Sequence, residues 1–188
     1  ADHFFDLPFL VLLRSISSVN NLLKIYCPVG TEKIIEHLCD DYVSGIAGSY
    51  NQWKTKGSLE FFEFENLNNE KVLETYFVTS FKVCHGNKSP AYGYVIKHEN
   101  KTVGFSGDSS LCAGVEEIVK NSDVSVLDMF SLNGTHAHMS VLDIEKLCSE
   151  NKTKTIVSTH CTTQAKIDAK ERNIKNLIIA EDGLEIEV

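Results

Sequence analysis

From Cys112 onward the chain alternates without interruption between helical and extended patterning, and no other feature constrains its fold as tightly. The periodicity predicts a helix over Cys112 to Lys120 and a strand over Val124 to Leu127. It then predicts a helix over Val141 to Ser149, a strand over Thr155 to Ser158, a helix over Gln164 to Glu171 and a strand over Asn176 to Ala180. Asp182-Gly183 then turns into a last short strand.

The first half is more mixed. Asp6 to Val19 reads as a helix with Pro8 in its first turn, where a missing N–H costs nothing. Leu22 to Cys27 reads as a strand ended by Pro28-Val29-Gly30. Thr31 is expected to cap a helix to about Asp41, with Ile34, Ile35 and Leu38 on one face. Residues 44 to 57, rich in Gly and Ser, read as a loop or broken helix. Four extended segments follow, Leu59 to Glu65, Val72 to Phe81, Tyr92 to Lys97 and Thr102 to Phe105, with a hairpin corner at Glu99-Asn100. Mixed β structure followed by α/β alternation predicts a layered α/β sandwich with its helices outside. No internal boundary shows, so residues 1–188 read as a single domain.

Composition narrows the function more than the fold. The net charge of −8, from 18 basic and 26 acidic residues, disfavours broad capture of a polyanion, which needs clustered Lys and Arg. It leaves room for one phosphate held through a metal. The longest apolar run, Leu7 to Leu13, falls far short of the roughly 20 residues of a membrane span, so no membrane partner is expected and a cytoplasmic location is the default. Six cysteines without a C-x-x-C pair read as small buried hydrophobes rather than a disulfide framework. The tripeptides at Asn87, Asn133 and Asn151 fit a glycosylation pattern that carries no weight without a secretory signal.

Five polar clusters share one position, at the end of an apolar run or the mouth of a helix. They are Asp2-His3, His85, Asp108 in Phe-Ser-Gly-Asp, His138, and His160 in Ile-Val-Ser-Thr-His. Strand ends along one sheet edge are where side chains from distant segments converge. Imidazole and carboxylate are the donors that catalytic zinc and related divalent ions accept. Singly, each has a plainer reading: a hydrogen-bonded strand-end histidine, or for Asp108 a turn former. His37 and His98 read as surface residues, and His136 competes with His138 for the same role.

Their order resembles the metallo-β-lactamase superfamily, and most closely its ribonuclease Z-like phosphodiesterase branch. Asp2-His3 looks like the end of the family's His-x-His-x-Asp-His motif, followed as expected by a helix. His85, in Cys-His-Gly-Asn-Lys-Ser-Pro-Ala-Tyr-Gly-Tyr, resembles the next ligand, and Asp108 in Phe-Ser-Gly-Asp-Ser the bridging aspartate. His160 in Ser-Thr-His-Cys-Thr is similar to the last ligand. His138 in His-Met-Ser is similar to the branch's additional active-site histidine. Asp128 stands where that branch has a glutamate partner, and the closing Ala180-Glu181-Asp182-Gly183-Leu184 is also similar.

The resemblance implies an αββα four-layer sandwich and two divalent ions, zinc first and Mn2+ or Fe2+ as alternatives, with Asp2, His3, His85, Asp108 and His160 as ligands. A hydroxide bridging the two ions is then the nucleophile toward a phosphodiester, RNA included. His138, oriented by Asp128, becomes the general acid, with Asp2 counted beside them among the catalytic residues. Aspartate in place of glutamate shortens the orienting arm by one methylene, which predicts a looser or water-mediated pairing. The motif's first two histidines do not occur here, so a preceding segment and an incomplete fold are expected. Sheet edges left uncovered near Leu59 to Phe64 or Val72 to Phe81 then favour a homodimer or completion by another polypeptide.

One feature sets the chain apart from ribonuclease Z proper. Its long tRNA-gripping arm falls between the third-motif histidine and the bridging aspartate, and here His85 to Asp108 holds only a strand pair and its turns. A phosphodiesterase acting on a smaller diester is therefore the first expectation. The alternatives are an armless tRNA 3′ endonuclease, a thioester or carboxylic ester hydrolase of the same fold, and a non-catalytic binding domain that keeps the ligand residues.

Overall fold

The computed structural model describes residues 3–17, 21–42, 50–86 and 90–188. Asp2, Val19 and Asn87 lie outside the described residues. The chain forms two compact units, Ala1–Glu65 and Asn66–Val188.

In the first unit, α1 (Leu7–Ile16) starts with Pro8 in its first turn and buries Val11 completely. Strands β1 (Leu23–Pro28) and β2 (Leu59–Phe64) pair in parallel, from Leu23 opposite Leu59 to Pro28 opposite Phe64. A parallel pair needs a long crossover, and this one carries two helices. The first, α2 (Thr31–His37), runs on into a π-helical turn at Leu38–Tyr42. Its N-cap is Gly30 at φ 90°, not Thr31 as expected; the Thr31 hydroxyl instead donates to the Pro28 carbonyl at 2.7 Å. The second, α3 (Tyr50–Lys56), forms where a loop or broken helix was expected. Tyr50 and Trp53, one turn apart and both buried, tie it to Val11, Ile35, Cys39 and Leu59. Burial of two large aromatic rings outweighs the weak helical propensity of this stretch.

The second unit is built on a seven-stranded sheet in sequence order. Its strands are β3 (Glu70–Lys71), β4 (Tyr76–Val83), β5 (Ala91–His98), β6 (Lys101–Phe105), β7 (Val124–Asp128), β8 (Thr155–Thr159) and β9 (Leu177–Ile179). The expected strand from Val72 begins only at Tyr76, because Val72 N–H closes a turn onto the Tyr76 carbonyl at 3.1 Å. Strands β3 to β6 are antiparallel, with His98 opposite Lys101 across a two-residue turn at Glu99-Asn100. Strands β6 to β9 are parallel, each pair joined through an intervening helix.

The parallel strands are joined by α4 (Ala113–Lys120), α5 (Val141–Glu150) and α6 (Thr163–Arg172). All three pack into one core, with Val115, Ile118, Leu127, Ile144, Leu147, Ile156 and Ala165 among its buried members. Gly93 and Gly104 let α4 lie close, since a Cβ at either would meet Ile118 at 2.4 or 2.6 Å. Helix α5 opens with a reciprocal capping box between Ser140 and Asp143. The expected strand after Asp182-Gly183 does not form. Leu184, Ile186 and Val188 lie without ladder pairing in an apolar hollow shared with Val103, Val124, Val126 and Val157.

This topology decides where the polar clusters go. Strand β4 is antiparallel to β5 and β5 to β6, so β4 runs with β6, β7 and β8. The C-terminal ends of these four strands therefore share one edge of the sheet. His85, Asp108, Asp128 and His160 stand at those ends or within three residues of them.

Candidate metal centre

Each side chain reaches the shared edge by its own local device. Asp108 follows β6 through Ser106-Gly107, where Gly107 takes φ +58°. That left-handed turn costs glycine little and swings the next residue back over the sheet. Asp128 is the last residue of β7 and pairs in register with Thr159 of β8, which sets His160 beside it. His160 itself sits at φ +55°, a conformation that costs a non-glycine residue about 1 kcal/mol and that the surrounding structure must hold. Directly after it, Thr162 caps α6 by accepting from Ala165 N–H at 3.1 Å. His138 comes from the segment between β7 and α5, where the Phe130 N–H donates to the Met139 carbonyl at 3.0 Å.

Asp108, Asp128, His138 and His160 each place a donor atom within 4.8 Å of those of the other three. His160 Nδ1 lies 3.5 Å from Asp128 Oδ1 and 3.9 Å from Asp108 Oδ1. His138 Nδ1 lies 2.8 Å from Asp128 Oδ2, so the pairing is direct and the looser contact expected of the shorter side chain is not seen. His85 has a ligand atom within 4.8 Å of Asp108, and its Nδ1 is 3.0 Å from the Ala137 carbonyl. His3 lies in the first unit, exposed in the turn ahead of α1, and Asp2 is outside the described residues.

Asp128 is the electrostatic pivot. Its side chain is 1% exposed, and Oδ2 accepts both from His138 and from the Ser109 N–H at 3.1 Å. Burial pushes its carboxyl above the ordinary range, the hydrogen bonds from His138 and Ser109 pull it back, and the Asp108 charge pushes it up again. Oδ1 is buried and has no hydrogen-bond partner. A buried carboxylate oxygen without a donor is costly unless a cation faces it. Asp108 and His160, with His85 on the Asp108 side, offer the carboxylate and imidazole donors that a divalent ion of the zinc type accepts, while His138 is engaged by Asp128.

Three contributors are not marked in the sequence. Phe130 stacks against His138 at 4.9 Å and His160 at 5.6 Å between ring centroids, fixing both imidazole planes. Ser109 N–H holds the Asp128 carboxylate, and Ser106 Oγ accepts from the Asp128 N–H at 3.1 Å. The position of Phe130, two residues past Asp128, was the one available hint. An open cleft of about 840 Å³ starts at His160 and is lined further by Phe130, Thr162, Lys166, Glu181 and Asp182. Lys166 Nζ is held 3.5 Å from the Ala180 carbonyl at its wall.

Residues 1–161 match the family model described as a Beta-lactamase superfamily domain. The chain is 26% identical to the ribonuclease Z of Methanosarcina mazei over 237 residues, covering all of this chain and 78% of that protein. Among solved structures it resembles the metallo-beta-lactamase fold protein YhfI from Bacillus subtilis, with a TM-score of 0.67 at 17% identity over 97% of this chain and 72% of that one. It also resembles human tRNase Z, short form, with a TM-score of 0.60 at 19% identity over 99% and 74%. Sheet topology, donor cluster and family match agree, and the chain belongs to the metallo-β-lactamase superfamily of metal-dependent hydrolases.

Proposed function

We propose that the protein is a phosphodiesterase of small substrates that uses the Asp108–Asp128–His138–His160 cluster. The observation that carries this reading is the His138–Asp128 pair at 2.8 Å beside a set of metal donors. Bound divalent ions, zinc first and two in number, supply charge neutralisation at the phosphoryl group and lower the pKa of the attacking water. Asp108 and His160 would hold them from the sheet edge, with His85 on the Asp108 side. Asp2 and His3 keep their assignment as ligands on the motif alone. Both units then belong to one domain.

The chain's own contribution to the chemistry is a positioned proton. With Nδ1 engaged by Asp128, the His138 ring presents Nε2 as the atom able to protonate a departing alkoxide. Phe130 keeps the ring from rotating, and the almost fully buried Asp128 keeps its charge out of solvent. A carboxylate pairing with the histidine suits an acid that gains and loses a proton each cycle, which favours an ester of phosphate with a basic leaving group.

Substrate size follows from two observations. The His85-to-Asp108 stretch contains the β5–β6 hairpin closed by a two-residue turn, with no room for a protruding arm. The alignment with the Methanosarcina mazei ribonuclease Z spans 237 positions against 188 residues, so that protein carries a stretch without a counterpart here. The cleft beside His160 has the volume of a pocket for a molecule of nucleotide size.

The test is hydrolysis by the full chain, supplied with Zn2+ or Mn2+, of an aryl ester of a nucleoside monophosphate, a thioester and a precursor tRNA. Metal-dependent turnover of the first at well above the rate on the other two is expected. Efficient 3′ cleavage of the tRNA would instead establish the armless endonuclease. Metal binding with no turnover of any of them would establish a binding domain.

A further inference from the structure

We propose that Cys84 and Cys112 form a reversible disulfide that ties the His85 strand end to the Asp108 loop. Cys84 follows β4 directly and forms an isolated antiparallel bridge with Ser110, whose N–H donates to the Cys84 carbonyl at 2.8 Å. In such a bridge, Cys112, two residues on, is the diagonal neighbour of Cys84 on the same face. Ser109 knits the two together: its Oγ accepts from the Cys84 N–H at 3.1 Å and lies 4.0 Å from the Cys112 sulfur.

The packing of α4 holds this arrangement in place. Cys112 is the N-cap of α4, and Gly114 presses so closely on β4 that a Cβ there would stand 1.9 Å from the Lys82 carbonyl oxygen. The close approach of Gly114 to Lys82 keeps the start of α4 beside the end of β4. A side-chain hydrogen bond with Cys112 is the first cause raising the Cys84 thiol, and both cysteines border the same Ser109. Cys27, Cys39 and Cys148 are buried, whereas Cys84 is exposed and open to reagents.

The oxidant is a low-molecular-weight disulfide of the glutathione class. The Cys84 thiolate attacks one of its sulfurs, forming a mixed disulfide and releasing one thiol. The Cys112 thiolate then attacks the Cys84 sulfur, making the internal bond and releasing the second thiol. Two protein thiols lose two electrons and two protons, and the reagent's S–S bond takes up both. A diagonal pair must shift to reach the usual disulfide separation, so the bond is strained and readily reduced, the behaviour of regulatory rather than structural disulfides. The inference reads only the thiols and stands whether or not the phosphodiesterase reading holds.

The experiment treats the folded full chain with oxidised glutathione at mildly alkaline pH, which favours thiolate over thiol. Remaining thiols are then alkylated, and the unreduced digest is mapped by mass spectrometry. The expected product joins the Cys84 and Cys112 peptides and reverts with reduced glutathione. Cys112→Ser should leave one glutathione trapped on Cys84, and the variant should fold, because serine suits an N-cap better than cysteine does. Cys84→Ser should give no cross-link and no adduct at Cys112. Two alkylated thiols after oxidation, a glutathione adduct that persists on wild-type Cys84, or a cross-link seen only in denaturant would overturn the proposal.

Discussion

Replacing Asp128 by asparagine separates orientation from metal binding, and the structure sets the size of the effect. The side chain keeps its shape, and its carbonyl oxygen still accepts from the Ser109 N–H. The same oxygen faces His138 Nδ1, so the ring keeps its hydrogen bond but loses the carboxylate charge, and the amide nitrogen takes the place of Oδ1. What is lost is the charge assistance of one buried hydrogen bond at 2.8 Å. The difference between a charged and a neutral bond is about 1–1.5 kcal/mol. At about 1.36 kcal/mol per factor of ten, kcat on a diester with a poor leaving group should fall roughly 5- to 13-fold. The assay compares a nucleoside monophosphate methyl ester with its nitrophenyl counterpart, and measures bound metal on the same samples. The nitrophenyl ester, whose leaving group needs no proton, should lose less than about threefold. Equal losses on both esters together with lost metal would refute the reasoning, because they would make Asp128 Oδ1 a ligand.

Other expectations follow from the same geometry. Asp108→Ala should strip metal and abolish turnover of both esters, as read by metal analysis and rates; retained metal would remove Asp108 from the ligand set. Gly114→Ala places a Cβ 1.9 Å from the Lys82 carbonyl and should destabilise the fold by about 1–3 kcal/mol or more in chemical denaturation. An unchanged midpoint would mean that α4 packs less tightly than described. The Asp123 carboxylate accepts from the Thr102 N–H and hydroxyl at 2.9 and 2.8 Å, which holds its pKa below the ordinary value. A depressed folded-state pKa adds stability above the unfolded value of about 3.9, and that stability is lost as pH falls through the folded value. Asp123→Asn should therefore cost about 0.5–1.5 kcal/mol at neutral pH and progressively less below a pH of about 4. The same cost at both ends of that range would contradict the assignment.

Much of this was legible before any coordinates, and the reasons differ by region. From Cys112 on, amphipathic helices and β-branched runs place α4, α5, α6 and β7 to β9 within a residue or two, because burial on one helix face or in a covered parallel strand leaves a periodic trace. Helix α3 was not legible, since Tyr50 and Trp53 are held by partners distant in sequence and the Gly and Ser around them argue for a loop. The missing last strand has a similar cause. The apolar alternation of Leu184, Ile186 and Val188 suits the hollow they line without any ladder. In the site, residue types and order pointed to His85, Asp108, His138 and His160. The contact between Asp128 and His160 depends on the β7–β8 register, Asp128 opposite Thr159, which one sequence cannot specify. Phe130 escaped notice for the same reason, because its place beneath two imidazoles is a tertiary fact. Among the described residues no helix is long and apolar enough to cross a membrane.

The central claim is that His138 moves a proton beside metal ions it does not hold, and His138→Ala tests it most directly. Bound metal and the rates on the methyl and nitrophenyl esters are measured together in the variant and the wild type. The account predicts unchanged metal, a fall of about 10²–10⁴-fold on the methyl ester and a much smaller one on the nitrophenyl ester. Loss of metal, with both rates falling in parallel, would make His138 a ligand and contradict the account.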